Sequence, residues 1–209
     1  MKPMIQKAVL GLALAAGLVS LSGCFPLIAG GAITGVMVAA DRRTSGTVVE
    51  DNTIQIKASN RLNDNLGERV HINVTAYNRK VLLTGEVPSE QDKQLAEKVV
   101  MGVENVQGVY NELAVLGNST FSQKSSDTLV TSRVKAAIID AKDLMSNAVK
   151  LTTERGTVYV LGRVTPREAN RFIEVIRVQD GVHRLVLLWD KISEEELANI
   201  TRQQPEANK

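Results

Sequence analysis

The sequence predicts an α+β protein made of two tandem small αββαβ sandwiches, each a three-stranded mixed sheet with two helices on one face. The first observation is an internal repeat: Gly85 and Gly162 lie 77 positions apart, and Val106 and Val182 lie 76 apart. The second is that short alternating apolar runs, typical of strands, flank helical runs in both copies. The third is size, because each copy of about 70 residues can form a two-layer domain.

The sequence pattern of the first copy predicts the order of its helices and strands. A helix is expected at about Thr53 to Asn65, followed by a strand at Val70 to Ala76 in which polar and apolar residues alternate. Asn78-Arg79 is typical of a hairpin turn into a second strand that ends at Pro88. Ser89 is the expected N-cap of the next helix, and the segment Val106 to Leu113 is the returning strand.

The second copy repeats this order. A helix is expected at about Asp127 to Ala141 and a strand at Ala148 to Thr153, and Arg155-Gly156 forms the turn into the next strand. Thr165, followed by Pro166, predicts a helix start with Glu168 completing a capping box. After the returning strand, Ser193 to Gln203 predicts a short helix with a Ser-x-x-Glu box at Glu196.

A lone cysteine follows an uncharged segment near the N-terminus. Lys2 and Lys7 precede the apolar run Ala8 to Ser20, and Leu21-Ser22-Gly23-Cys24 ends it. The run is shorter than the about 20 residues that span a bilayer, and it fits a secretory signal. The tetrapeptide resembles a bacterial lipobox, which implies cleavage before Cys24 and lipidation of that residue. The alternative is a buried N-terminal helix or a signal anchor.

The segment after the cysteine predicts a flexible tether. It runs to Gly46, is rich in Gly and Ala up to Ala40, and contains four glycines and a proline in all. Gly31 and Gly35 also form a GxxxG pattern, so a helix-dimerisation face is the alternative. The residue after Cys24 is Phe25. An Asp at this position usually signals inner-membrane retention of a lipoprotein, so a chain without it resembles an outer-membrane lipoprotein with its domains facing the periplasm.

The two copies resemble BON domains. The likeness rests on the paired glycine-centred strands and on the segments Asp41 to Gly46, Ile72 to Tyr77 and Val109 to Glu112. Two such domains behind a lipobox are similar to dual-BON outer-membrane lipoproteins, which implies a non-enzymatic protein that binds anionic phospholipid and maintains the outer-membrane barrier. The expected organisation is signal peptide 1–23, lipidated tether 24–46, first BON domain 47–117, linker 118–124, second BON domain 125–192, and C-terminal helix and tail 193–209.

The two copies differ in net charge. Residues 47–117 carry seven basic and ten acidic side chains, and residues 124–192 carry twelve and eight, so the nets are −3 and +4. Without Lys2 and Lys7 the mature chain has 23 residues of each sign. Such a neutral chain lacks the global basic field of a nucleic-acid-binding protein, and it has no strip that combines aromatic and basic residues. An anionic membrane would favour the second copy.

The first helix of the second copy carries the predicted lipid site. Val130, Val134 and Ile138 form its core stripe at helical spacing, whereas Leu129, Ala136 and Ile139 lie on the opposite face beside Arg133 and Lys135. The matching positions of the first copy are Thr53, Asn60 and Asn63. An outward apolar strip flanked by cations is typical of interfacial docking. The expected phospholipid-binding residues are Leu129, Val130, Arg133, Lys135, Ala136 and Ile139.

Other interpretations of this strip stay open at the level of sequence. It could pack against the first copy, the C-terminal helix or another protomer, and the domains could then act as a periplasmic module that engages envelope assembly or division factors. No catalytic residue, metal ligand set or cofactor is expected. His71 and His183 are interpreted as ordinary strand histidines, and the chain lacks a Gly-x-Ser-x-Gly elbow and a phosphate loop.

Overall fold

The structure, a computed structural model, describes residues 41–117 and 121–203. The predictions for the signal peptide, for Cys24, for the GxxxG segment and for the last residues of the tail fall outside these ranges. The described residues belong to a single unit that contains two αββαβ copies, and the predicted fold class is confirmed.

The first copy forms a mixed sheet with two helices. Its elements are α1 (Ser45–Leu66), β1 (His71–Tyr77), β2 (Lys80–Val87), α2 (Glu90–Met101), β3 (Gly108–Asn111) and β4 (Ala114–Val115). Strand β2 is central: β1 pairs with it antiparallel, and β3 pairs with it parallel. The two-residue β4 continues the parallel edge beside the end of β2 and was not expected from the sequence.

The second copy has the same topology. Its elements are α3 (Phe121–Asp140), β5 (Val149–Glu154), β6 (Thr157–Val164), α4 (Pro166–Arg177) and β7 (Arg184–Lys191), and α5 (Glu194–Gln203) follows. Strand β5 pairs antiparallel with β6, and β7 pairs parallel with β6 along its whole length. The expected core stripes of α1 and α3 pack against the sheets, with Ile54 and Ala58 buried in one and Val134 and Ile138 in the other.

Helix α1 begins eight residues earlier than the sequence pattern predicts. Thr44 supplies the reason, because its side-chain oxygen accepts a hydrogen bond from the Thr47 amide and so caps the helix there. The additional turns place Val49 on the surface and Asp51 in the interior. Residues 41–46, which the sequence pattern assigns to the tether, therefore lead directly into ordered structure.

A buried aspartate on the first helix of each copy holds the hairpin turn. The carboxylate of Asp51 accepts from the Asn78 and Arg79 amides at 2.7 Å each, and Asp127 accepts from Arg155 and Gly156 at 2.8 Å each. All four turn residues have positive φ, between 49° and 69°, as the predicted two-residue hairpins require. Each aspartate accepts hydrogen bonds from turn amides that would otherwise lack partners, and these bonds hold the hairpin against the helix.

The predicted helix caps are largely present. Ser89 accepts from the Asp92 amide, and Thr165 and Glu168 form the complete capping box. Ser193 accepts from the Glu196 amide, but the Glu196 carboxylate turns away to Arg163 on the neighbouring strand. The last cap is therefore only half of the box that the sequence suggests.

The two sheets pack face to face, which explains why β2 and β6 are buried on both faces. One face of each sheet contacts its own helices. The other faces meet in a cluster made of Tyr77, Leu82, Tyr159 and Leu161. Hydrogen bonds and ion pairs join the two domains at both ends of this cluster. Lys80 and Asn78 bind Asp190 at one end, and at the other Arg155 binds Glu86 at 2.8 Å.

The segment Asp41–Arg43 joins the two domains on one side. Arg42 is 4% exposed and donates to both carboxylate oxygens of Glu168, at 2.6 and 2.8 Å, and to the Arg163 carbonyl at 2.7 Å. Arg43 binds Asp51 of α1 and stacks over the Tyr77 ring at 4.3 Å. Neighbouring arginines thus contact opposite domains just where the chain enters α1.

Candidate functional site

Helix α3 presents the side chains that the sequence singles out for lipid. Leu129 and Ile139 are 59% and 57% exposed, and Arg133, Lys135 and Ala136 are also exposed. These five residues are called the α3 outer face. Four of them lie opposite the stripe that packs on the sheet, because residues at i, i+4, i+7 and i+10 share one side of a helix. Lys135 borders this side, one turn before Ile139.

Val130 does not belong to this face. It is only 3% exposed, lies in the core of the second domain, and contacts the turn at Gly181, where an added Cβ would come within 2.6 Å of its Cγ2 atom. The sequence-based assignment of Val130 to lipid binding is therefore corrected. One residue along an α-helix turns by about 100°, so the neighbour of an exposed Leu129 points towards the core.

No element among the described residues covers the α3 outer face. Leu129 and Ile139 keep more than half of their surface in the presence of the first domain and of α5, both of which were alternative packing partners. An exposed apolar pair of this size is available to a membrane or to another protein.

Basic side chains surround this face, and Asp140 at the end of the helix is its acidic neighbour. Within the described part of the chain, Lys135 makes no ion pair, and Arg133 donates to the Asp180 carbonyl at 3.3 Å rather than to a carboxylate. Lys124 on the same helix and Lys142 just beyond its end are exposed too. Each cation near an anionic bilayer surface contributes about 1 kcal/mol.

Helix α1 of the first domain has a similar apolar exposure that the sequence reasoning missed. Val49 and Ile56 are 65% and 63% exposed and flank Thr53 on one face. The predicted start of the helix at Thr53 excludes Val49. Ile56 is not among the three positions of α1 that match Leu129, Ala136 and Ile139. Exposure alone therefore does not distinguish the domains. Charge does, because Lys57 beside this face is paired with Glu104 at 2.6 Å and the first domain is net acidic.

One further exposed apolar residue lies near the α3 outer face. Val178 is 69% exposed at the end of α4, two residues before Asp180, whose carbonyl Arg133 contacts. It belongs to the same side of the second domain. The sequence gives a weak signal for it, because Val178 stands out only as an apolar residue between Arg177 and Gln179 at a helix end.

The structure changes the interpretation of His71. Glu86 lies opposite it in the β1–β2 register, with His71 Nδ1 and Glu86 Oε2 2.8 Å apart, and Glu154 of the second domain is close by. Spacing along the chain could not reveal these neighbours, since one comes through strand pairing and the other through domain packing.

No helix within residues 41–117 and 121–203 is both long enough and apolar enough to cross a membrane.

A family model for the BON domain matches this chain twice, at residues 50–117 and 126–186. The chain belongs to the BON-domain family. The two matches coincide with the two αββαβ copies, and the resemblance inferred from the glycine-centred strands is confirmed.

Relatives with two thirds or more of their length aligned support this membership. The chain is 33% identical over 171 residues to the outer membrane lipoprotein DolP of Haemophilus influenzae, covering 81% of this chain and 89% of the relative. It is 32% identical to the 21 kDa hemolysin of Actinobacillus pleuropneumoniae, with coverage of 70% and 76%. It is 30% identical to osmotically-inducible protein Y of Escherichia coli, with coverage of 71% and 76%. The chain is therefore a BON-domain protein of the DolP type.

Proposed function

We propose that this chain is a non-enzymatic lipoprotein that binds anionic phospholipid through the α3 outer face and helps to maintain outer-membrane integrity. The observation that carries the proposal is the apolar pair Leu129 and Ile139, which no described element covers, in the more basic of the two domains. Beside it lie Arg133 and Lys135, which form no ion pair within residues 41–117 and 121–203. The name of the Haemophilus relative supports the outer membrane as the location.

Two attachments follow from this arrangement. Cys24, lipidated at the end of the signal peptide, would hold the chain in the membrane permanently, with the domains in the periplasm. The α3 outer face would then add a weak, reversible contact. Burying the exposed parts of Leu129 and Ile139 contributes about 2–4 kcal/mol, and Arg133 and Lys135 add about 1 kcal/mol each near phosphatidylglycerol-like headgroups.

The test separates this second contact from the lipid anchor. A soluble form that begins at residue 41 is mixed with vesicles of phosphatidylglycerol or of phosphatidylcholine, and binding is measured by sedimentation at increasing salt. We expect binding to the anionic vesicles only, decreasing with salt because the cations are screened. Leu129→Glu should weaken it at least tenfold, since the change removes apolar contact and adds repulsion.

The first domain offers a matched control. Ile56→Glu introduces the same charge on α1 at a position as exposed as Leu129, but in the acidic domain. This variant should bind as the unmodified protein does. Equal losses for both variants, or salt-independent binding to both kinds of vesicle, would refute the proposed site. In that case the face becomes a candidate surface for a protein partner in the envelope.

A further inference from the structure

The contact between the two domains holds a cluster of side chains with metal-ligating chemistry. His71, Glu86 and Glu154 each offer one ligand atom, and these atoms lie within 4.8 Å of one another. His71 and Glu86 face each other across β1 and β2, and Glu154 is the last residue of β5 in the second domain. The cluster therefore takes its members from three strands and from both domains.

Each carboxylate in the cluster has a hydrogen-bond partner on at least one of its oxygens. Arg155 Nε donates to Glu86 Oε1 at 2.8 Å, and Asn73 Nδ2 donates to Glu154 Oε2 at 2.9 Å. Glu86 Oε2 is turned to His71 Nδ1. Hydrogen bonds of this kind orient the ligands of metal sites in proteins while the other oxygen binds the ion.

The electrostatic situation favours a cation. Glu86 is fully buried and Glu154 is 8% exposed, so two carboxylates lie close together with little water around them. Burial, together with the nearby charge of Glu86, holds the pKa of Glu154 above its ordinary value despite the hydrogen bond from Asn73. Arg155 is one compensating cation, and its side chain is 38% exposed.

A cleft gives access to the cluster. It has a volume of about 380 Å³, and His71 and Glu154 line it together with hydroxyl-bearing residues such as Thr131 and Thr153. An ion could enter here and keep water as its remaining ligand. Three protein ligands and a water are the usual set of an open zinc site.

We propose that His71, Glu86 and Glu154 bind a divalent transition-metal ion of the zinc class, which bridges the two domains. The single imidazole nitrogen favours zinc or a similar ion over magnesium or calcium, which prefer oxygen ligands. A tetrahedral zinc ion needs its ligand atoms about 3.4 Å apart, since its bonds are about 2.1 Å long. The ligand atoms lie within 4.8 Å of one another, so binding needs each separation to change by about 1.4 Å or less. Arg155 donates to Glu86 Oε1, which leaves Oε2 facing the site.

The composition of the chain makes the test simple. It has one cysteine and two histidines, so Cys24→Ser and His183→Gln leave His71 as the single imidazole or thiol ligand. The full chain with these two changes is purified in detergent without a histidine tag and stripped with chelator. Bound zinc is then measured by equilibrium dialysis against Zn²⁺ with elemental analysis, and the melting temperature with and without Zn²⁺.

We expect one zinc per chain and a melting temperature that rises by several degrees with Zn²⁺, because the ion binds the folded, docked domains. Glu154→Gln should weaken binding at least tenfold. His71→Asn should do the same while it keeps an N–H donor for Glu86, so folding is retained without the metal ligand. The proposal is overturned if these variants bind zinc as tightly as the parent, or if zinc leaves the melting temperature unchanged.

Discussion

Replacing Arg42 with Ala tests whether the Asp41–Arg43 segment locks the two domains together. Arg42 and Glu168 are each 4% exposed, and two hydrogen bonds of 2.6 and 2.8 Å join them. Removing one partner leaves a buried carboxylate without its counter-charge, which costs about 3–5 kcal/mol. For a chain of this size each kcal/mol lowers the melting temperature by about 2–4 °C, so we expect a decrease of roughly 6–20 °C at pH 7.

The pH dependence gives a second signature. Burial alone raises the pKa of Glu168, but the hydrogen bonds and charge of Arg42, together with the Thr165 amide, hold it below its ordinary value. The ion pair therefore stabilises the fold above the pKa of unfolded Glu, and this contribution is lost as the pH falls through the folded value. In Arg42→Ala the buried carboxylate protonates more readily, so the difference between the two proteins should shrink towards acidic pH.

The assay is thermal and urea unfolding from pH 3 to pH 7. Arg171→Ala serves as the control, since Arg171 pairs with Asp143 and Glu174 on the exposed surface and its loss should change stability little. A loss below about 1 kcal/mol for Arg42→Ala at pH 7, or a loss that does not vary with pH, would contradict the buried ion-pair reasoning.

Two further substitutions test the packing of β2. Gly85→Ala should destabilise the fold by about 3 kcal/mol or more, since φ is +114° and the new Cβ would lie 2.0 Å from the His71 carbonyl oxygen. Gly108→Ala, where an added Cβ meets nothing within 4 Å, is the control for urea unfolding, and equal effects would contradict this account. Thr84→Val should stabilise by about 1–2 kcal/mol, because the buried Thr84 hydroxyl has no hydrogen-bond partner among the described residues and Val keeps its shape. A loss of stability in the same assay would indicate that the hydroxyl has a partner.

Local signals carry the prediction of each domain. Alternation of apolar residues, two-residue turns and helix caps act over a few positions, so the hairpin at Asn78-Arg79 and the capping box at Thr165 could be read directly from the sequence. The early start of α1 was missed because its first core position is the polar Asp51, so the apolar stripe begins only at Ile54. The same omission hid Val49 as an exposed residue.

The candidate lipid site was only partly predictable. Helical periodicity correctly places Leu129 and Ile139 on the outside of α3. It also places Val130 on the core stripe, and the burial of that residue excludes it from the site. Whether an outward face stays exposed depends on what packs over it, and periodicity along a single helix contains no information about that.

The sequence by itself determined the repeat, the αββαβ order and the acidic and basic character of the two halves, since composition and spacing along the chain are sufficient for these. Only the tertiary structure decided what covers the second face of each sheet. Leu82 and Tyr159 are buried in one cluster between the domains, Arg42 binds Glu168, and Glu154 lies close to His71. These partners are 77 or more positions apart along the chain, and strand periodicity shows that a side chain faces one side of a sheet without indicating which residue it meets there.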